Sequence, residues 1–148
     1  MLEIIRGLTP GAFERLCQKI LYSAGFEDVE VTGRPGDGGI DGKAIFNLNG
    51  LLSYRVFFQC KKYASNNTVG PDTVRDLRSP ITTEGGNIAK GLIITTSRFT
   101  KGAEDEAKKA NPIDLMNGLQ LAEKMRALGL GGNETFAVRP DWFQQFEN

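Results

Sequence analysis

Histidine is absent from this 148-residue sequence. The chain therefore cannot build a Ser-His-Asp triad, a Cys-His pair, a His-ligated zinc site or a histidine general base. The two cysteines, Cys17 and Cys60, are too few for a four-cysteine zinc site. Any catalysis must rely on carboxylates, lysines, amides, hydroxyls or a bound hard metal ion.

Long apolar runs are also missing. The longest are far shorter than the ~20 residues that span a bilayer. The first residues, MLEIIRGLTPGAFERL, lack the apolar core and small-residue cleavage site of a signal peptide. We therefore expect a cytoplasmic protein with no membrane partner. In that compartment Cys17 and Cys60 are predicted to be reduced thiols in the core.

No charge of one sign dominates, since 18 basic residues balance 18 acidic ones. A hydrophobic content of 40% is typical of a globular protein. Because no repeat and no linker rich in Pro, Gly or Ser interrupts the chain, we predict one domain over residues 1–148.

Helical and strand patterns alternate along the chain, which favours an α/β domain. Helices are predicted over residues 10–24, 71–83, 101–110 and 118–128. Strands are predicted over residues 27–32, 40–47, 51–63, 91–95 and 113–115. Pro80 should kink or end the second helix. A further edge strand is expected at 136–138, and residues 141–143 should fold back as a hydrophobic tail.

Two consecutive strands carry the polar residues of most interest. Side chains alternate between the two faces of a strand, so each of these strands has one apolar and one polar face. Asp41 lies on the polar face of the strand at 40–47, and Gln59 and Lys61 on that of the strand at 51–63. If the two apolar faces lie on one side of the sheet, these three side chains converge.

The turn between these strands decides whether they converge. A two-residue Asn49-Gly50 turn would set Asp41 opposite Phe58, and a slip of one residue moves every side chain to the other face. We therefore predict a three- or five-residue loop, or a bulge, in this hairpin.

A carboxylate and an amide oxygen are hard ligands that suit Mg²⁺. A lysine one strand repeat beyond the amide, ~6–7 Å along the chain, can reach a reacting phosphate or an attacking water. Asp41, Gln59 and Lys61 around one metal ion would suit phosphodiester cleavage. On spacing alone, the simpler interpretation is favoured, in which Asp41 caps a turn and Lys61 is a solvated strand end.

Two stretches, TGRPGDGGIDG at 32–42 and VFFQCKKY at 56–63, together form a specific pattern. Three others follow in the same order: FERLCQKILYSAGF at 13–26, KGLIITTSRFTKGAEDEA at 90–107 and IDLMNGLQLAEKM at 113–125. With these stretches the chain resembles the Mrr-type restriction endonuclease catalytic domain of the PD-(D/E)xK nuclease superfamily. The resemblance implies a restriction-endonuclease-like α/β core, with a central mixed β-sheet of about five strands flanked by helices on both faces.

The resemblance also implies a metal-dependent endodeoxyribonuclease that uses Mg²⁺, with Mn²⁺ as a substitute. Asp41 matches the metal-binding aspartate, Lys61 the motif lysine and Glu14 an acid of the first helix. Gln59 stands where most of the superfamily has glutamate, and the Cys60 backbone carbonyl is an expected metal contact. The Gln59 amide brings one negative charge fewer to the metal than glutamate, and Glu14 is the candidate to restore it.

Double-stranded DNA is the expected partner. Residues 42–103 contain nine basic residues against three acidic ones, a distribution that favours salt-dependent phosphate contacts, although an ordinary solvated surface is as good an explanation. The candidate DNA-binding residues are Lys43, Lys62, Arg75, Arg78, Arg98 and Lys101. The hydroxyls of Thr95, Thr96, Ser97 and Thr100 are expected either to contact phosphate or to cap the following helix.

Members of this family often join the domain to a separate DNA-recognition domain, and the sequence predicts none within residues 1–148. The chain is therefore expected to be a fragment or a minimal nuclease. Whether it forms a homodimer is left open. The leading function is restriction-type DNA cleavage, with dependence on DNA modification left open. The alternatives are a junction or repair nuclease of the same fold and a non-catalytic DNA-binding or assembly module.

Overall fold

The computed structural model describes residues 1–32, 39–85, 89–109, 112–132 and 137–147. These residues contain seven β-strands. They are β1 (Phe26–Val31), β2 (Gly39–Leu48), β3 (Leu52–Lys61), β4 (Thr68–Val69), β5 (Ala89–Thr95), β6 (Arg98–Phe99) and β7 (Ile113–Met116). The central sheet has five strands in the order β1-β2-β3-β5-β7, and β4 pairs with β6 in a separate two-stranded sheet. The short β4–β6 pair is not predicted by the sequence.

Six α-helices accompany the strands in the described part of the chain. They are α1 (Leu2–Arg6), α2 (Pro10–Ser23), α3 (Pro71–Pro80), α4 (Lys101–Ala107), α5 (Gly118–Ala127) and α6 (Pro140–Phe143). A π-helical turn (Ile81–Gly85) follows α3, and a 3₁₀ turn (Gln144–Phe146) follows α6. Pro80 ends the regular part of α3, as predicted, and α4 ends earlier than expected, at Ala107.

The ends of α2 follow from local chemistry. The Thr9 side chain accepts a hydrogen bond from the Ala12 amide, and Pro10 occupies the first helical turn. Gly25 follows the helix with a φ of 101°, a conformation that glycine adopts without strain. Phe13 and Leu16 form part of the buried face of this helix, and both are completely buried.

The sheet is mixed because its two halves are connected differently. β1, β2 and β3 pair antiparallel, whereas β3, β5 and β7 pair parallel. A parallel pair needs a crossover connection, and α3 and α4 provide it. Phe58 and Cys60 pack with α2 and α5 on one face of the sheet, and Phe57 and Ile93 pack with α3 and α4 on the other. The predicted five-stranded sheet with helices on both faces is confirmed.

The C-terminal segment covers the first of these cores. Phe143 is buried, and Trp142 contacts the rings of Phe143 and Phe146 edge-on, each at 5.0 Å between centroids. The expected hydrophobic tail is thereby confirmed. Of the edge strand expected at 136–138, Phe136 lies outside the described residues, and Val138 forms a single bridge with Gly132. Among the described residues, no helix is long and apolar enough to cross a bilayer.

Both cysteines are free and buried, on facing surfaces of α2 and β3. Burial raises the pKa of the Cys17 thiol well above its usual range, and a hydrogen bond with Cys60 and the nearby Glu14 carboxylate add to the effect. A thiol held in this protonated form is a poor nucleophile and a poor metal ligand. The predicted role of the cysteines as core thiols is confirmed.

Glu106 on α4 is a buried acid that ties α4 to α3. Its carboxylate pairs with Arg75 at 3.0 Å and with Arg78 at 2.8 Å, and Lys109 lies 3.4 Å away. Hydrogen bonds from Arg75, then from Arg78, and the charge of Lys109 lower the pKa of Glu106, although burial opposes them. This cluster fixes how α3 lies over the sheet.

Because the pKa of Glu106 is lowered in the folded state, its contribution to the free energy of unfolding depends on pH. A carboxylate of this kind stabilises the folded state above its ordinary pKa of 4.5 and loses that contribution as the pH falls through its folded value. We expect Glu106→Gln to melt a few degrees below wild type near neutral pH, and the gap to shrink in acid. Melting curves between about pH 7 and pH 3 followed by circular dichroism test this.

The matched control is Asp105→Asn, which removes an exposed carboxylate one residue away that faces Lys101 at 3.4 Å. An exposed pair of this kind contributes little, so this variant should melt close to wild type. A gap for Glu106→Gln that stays constant with pH would show that packing, and not ionisation, sets the effect.

Candidate active site

The β2–β3 hairpin has the loop that the convergence of its polar residues requires. Leu48 pairs with Leu52, which leaves a three-residue loop of Asn49, Gly50 and Leu51. Asn49 and Gly50 have φ angles of 52° and 74°. We predicted a three- or five-residue loop, or a bulge, in place of a two-residue turn, and the structure has the three-residue loop.

This register places Asp41 directly opposite Gln59. Both residues line a cleft of about 470 Å³ between the β2–β3 hairpin and α3. Its other polar lining residues are Thr32, Lys43 and Asp76, and its apolar part includes Phe57, Leu77 and Pro80. The face of the hairpin that the sequence marks as polar therefore opens into a cleft, and α3 forms the opposite wall.

Gln59 has an unsatisfied acceptor in this cleft. Its side chain is only 8% exposed, and its Oε1 atom has no hydrogen-bond partner among the described residues. A buried acceptor without a partner costs about 1–3 kcal/mol, so such an atom in a native fold calls for an explanation. Asp41 opposite it is exposed and forms no ion pair with any other described residue. A divalent cation would satisfy both oxygens.

The Asp41 carboxylate and the Gln59 amide oxygen are ligands of the type that Mg²⁺ prefers. In the part of the chain that the structure describes, no three His, Cys, Asp or Glu side chains come together as metal ligands. A cation in this cleft would therefore need the Gln59 amide oxygen beside the Asp41 carboxylate. Mg²⁺ keeps several waters and is commonly held by one or two carboxylates, so such a sparse set of hard oxygen ligands suits it.

Lys61 lies two residues beyond Gln59 on the same face of β3, and its backbone is held firmly. The Lys61 carbonyl accepts hydrogen bonds from Thr95 Oγ1 at 3.0 Å and from the Thr96 amide at 3.2 Å. Thr96 Oγ1 in turn donates to the Tyr63 carbonyl and accepts from the Tyr63 amide, both at 2.8 Å. These buried hydroxyls fix the end of β3.

The hydroxyls at residues 95–100 are thus structural in this fold. Thr95, Thr96 and Ser97 are buried, and Thr100 caps α4 by accepting a hydrogen bond from the Ala103 amide at 3.0 Å. The capping interpretation is confirmed for Thr100. For Thr95 and Thr96 the hydrogen bonds indicate a third role, the attachment of β5 to the segment that carries Lys61.

The Cys60 side chain lies on the opposite face of β3 from Gln59 and Lys61 and is completely buried. Successive carbonyls of a strand point to opposite edges. Because the Lys61 carbonyl is bonded to the β5 side, the Cys60 carbonyl is directed towards β2, the strand that carries Asp41. Its role as a metal contact stays a prediction.

Glu14 is 8% exposed and lies on α2, at the face of the sheet where the Cys60 side chain lies. Its carboxylate is close enough to Cys17 to help raise the pKa of that thiol. It does not belong to the described lining of the cleft between the hairpin and α3. The structure thus brings Asp41 and Gln59 together and places Glu14 behind the sheet, and its role as a ligand stays a prediction.

The six candidate DNA-binding cations differ in how far they are engaged within the protein. Arg75 and Arg78 bind Glu106, the Lys62 ammonium donates to the Arg6 carbonyl at 3.2 Å, and Lys101 faces Asp105. Lys43 lines the cleft, and Arg98 is exposed on β6. Neither Lys43 nor Arg98 has an ion pair with another described residue, so these two are the cations most available to phosphate.

The sequence does not single out Asp76, although this residue lines the cleft opposite Asp41 and Gln59. The helical pattern places Val74 and Leu77 inward, and both are buried. Asp76 adjoins that buried stripe, which could have marked it as a polar residue at the edge of the covered face. Which edge faces the site depends on how α3 is rotated, and no local sequence pattern sets that rotation.

Comparisons with known proteins identify the family of this chain. The family model of the Mrr catalytic domain, described as a restriction endonuclease, matches residues 5–125. The type IV methyl-directed restriction enzyme EcoKMrr of Escherichia coli K12 is 31% identical over 129 residues, which cover 84% of this chain. The chain spans only 40% of the length of that enzyme.

Two solved structures share the fold. The DNA modification-dependent restriction endonuclease AspBHI superposes on 98% of this chain with a TM-score of 0.72 and 21% identity, over 37% of its own length. The MspJI restriction endonuclease, solved with a 27-mer oligonucleotide, covers 78% of this chain with a TM-score of 0.51 and 17% identity, over 26% of its own length. Since the family match spans most of the residues, including both strands of the hairpin, the chain belongs to the restriction endonuclease family of the Mrr catalytic domain.

Proposed function

We propose that this domain is a Mg²⁺-dependent endodeoxyribonuclease that hydrolyses phosphodiester bonds of double-stranded DNA in a modification-dependent restriction system. One observation carries the proposal. Asp41 lies opposite Gln59 in a cleft, and the buried Gln59 Oε1 atom has no hydrogen-bond partner among the described residues. This pair of hard oxygen ligands is what a phosphodiester-cleaving metal site needs.

The residues divide the chemistry between them. Asp41 and Gln59 would hold the cation, which, when bound, supplies positive charge to the phosphate and acidifies water. Lys61 follows Gln59 on the same face of β3 and adds positive charge next to that of Lys43, which lines the cleft. Its ammonium orients the attacking water and neutralises the charge that develops on the phosphate oxygens.

Relatives support DNA as the substrate. EcoKMrr is named as methyl-directed and AspBHI as dependent on DNA modification. Because this chain corresponds to about two fifths of either protein, we assign to it the cleavage step alone. Selection of modified DNA would then depend on contacts outside the cleft.

The test is nicking of supercoiled plasmid by the purified protein in Mg²⁺ or Mn²⁺ against EDTA, on methylated and unmethylated DNA. We expect cleavage that both metals support and that EDTA abolishes. We also expect this domain to cut both DNA forms at similar rates if selection resides elsewhere. Cleavage that persists in EDTA would contradict the metal site, and strong salt-sensitive binding without cleavage in any divalent metal would favour a DNA-binding module.

A further inference from the structure

We propose that Asp76 on α3 is a second carboxylate of the metal site and supplies the negative charge that Gln59, as an amide, does not. This inference rests on the proposed function and assigns a ligand to the same cleft. Asp76, Asp41 and Gln59 line that one cleft from α3, β2 and β3 respectively. The Gln59 Oε1 atom is buried and has no hydrogen-bond partner among the described residues, so it is an acceptor that a cation could use.

The rotation of α3 is fixed by contacts on its other sides. Arg75 and Arg78, which flank Asp76 in sequence, are bound to Glu106 on α4. Val74 and Leu77 are buried against the sheet. Because successive residues of a helix are rotated by about 100°, these contacts leave Asp76 and Pro80 on the side that faces the cleft. Asp76 therefore lines the cleft from a helix whose rotation is fixed.

The side chain is also available. Asp76 forms no ion pair or side-chain hydrogen bond with any other described residue, although Arg75 and Arg78 lie beside it in the helix. Asp72, one turn earlier in α3, is by contrast paired with Arg75. A carboxylate without a cationic partner, in a cleft that a buried and unpartnered oxygen also lines, is available to a divalent cation.

The charge at the metal favours two carboxylates over one. With Asp41 and the neutral Gln59 alone, a Mg²⁺ ion would keep one uncompensated positive charge before the phosphate enters. Mg²⁺ sites in proteins use one or two carboxylates, and each added negative ligand raises affinity. Glu14 is the acid expected from the sequence to fill this role, but it lies behind the sheet, near Cys17.

The experiment measures metal affinity directly, by titrating the protein with Mn²⁺ and following the free ion by electron paramagnetic resonance. Asp76→Asn should weaken Mn²⁺ binding about tenfold or more. The matched control is Asp72→Asn, which makes the same change on the same helix away from the cleft and should bind Mn²⁺ like wild type. Circular dichroism melting of each variant checks that α3 stays folded.

A rescue variant separates a ligand role from a merely structural one. Gln59→Glu returns a carboxylate to the cleft from β3. In the Asp76→Asn background it should restore Mn²⁺ affinity to near the wild-type value. A structural effect of Asp76→Asn would not be reversed by a change on a different element.

The outcomes distinguish this inference from the proposed function. If Asp41→Asn abolishes Mn²⁺ binding but Asp76→Asn binds like wild type, Asp76 is no ligand and the proposed function stands. If Glu14→Gln weakens binding and Asp76→Asn does not, Glu14 is the second acid. If wild-type protein binds no Mn²⁺, or Asp41→Asn binds as tightly as wild type, the metal site itself is refuted.

Discussion

Lys61→Ala should lower the rate of metal-dependent plasmid cleavage about 10²–10⁴-fold, the usual effect of removing a group that transfers a proton or neutralises charge in the transition state. Lys61 lies two residues beyond Gln59 on the same face of β3, outside the described lining of the cleft, and among the described residues its ammonium has no ion-pair partner. Its loss therefore removes no salt bridge of the described fold. Single-turnover cleavage in excess protein measures the effect on chemistry apart from DNA binding.

Lys90→Ala is the matched control. Lys90 is also a strand lysine, but it lies on the opposite face of the sheet, 5.5 Å from the centre of the Tyr54 ring. It should cleave at the wild-type rate and lose only a small contribution to stability. Equal rates for Lys61→Ala and wild type would refute the assigned role.

Lys61→Arg separates the two roles that lysine can take. Arginine keeps the positive charge but does not give up a proton in proteins. If Lys61 only neutralises charge, this variant should retain much of the activity. If it moves a proton, the rate should fall nearly as far as in Lys61→Ala.

The hairpin part of the site could be predicted because it depends on local rules. The alternation of side chains along β2 and β3, with a loop of the right length, is sufficient to place Asp41 opposite Gln59. The residues concerned are only 18 positions apart, and one turn connects their strands. No contact with a distant segment is needed to set this register.

The α3 side of the cleft could not be predicted for the opposite reason. The rotation of α3 is set by Arg75 and Arg78 meeting Glu106, a residue about 30 positions away on α4. The sequence suggests both arginines as DNA contacts because it shows their charge and not their partner. The position of Asp76 cannot be predicted for the same reason, because it depends on that rotation.

Short elements were missed because tertiary contacts stabilise them. Helix α1 has five residues, too few to be stable alone, and Arg6 at its end donates hydrogen bonds to the Thr96 carbonyl. Strands β4 and β6 contribute two residue pairs. Neither strand is long enough to show a periodic sequence pattern.

Gly42→Ala should destabilise the fold by about 1–3 kcal/mol or more, the range for forcing atoms into a packed site. A Cβ atom at Gly42 would lie 2.2 Å from the Glu30 carbonyl oxygen and 2.6 Å from the Phe58 ring. The ring could shift, but the Glu30 oxygen belongs to the backbone of β1, which pairs with β2 at this point. Relief of that contact therefore requires β1 to move away from β2, beside Asp41. Urea denaturation measures the loss as a lower midpoint at unchanged slope.

Gly102→Ala serves as the comparison, since a Cβ there meets the Pro71 ring at ordinary distances of 3.5 and 3.7 Å and the residue lies within α4. This variant should be as stable as wild type or slightly more so, because alanine restricts the unfolded chain. If Gly42→Ala unfolded at the wild-type midpoint, β1 would be able to move away from β2 with little loss of stability. The close approach of β1 to β2 would then not explain why a glycine follows Asp41. If the midpoint falls as expected, the glycine of the GGIDG stretch has a packing reason: it lets β1 close on β2 and so fixes the strand that presents Asp41 to Gln59.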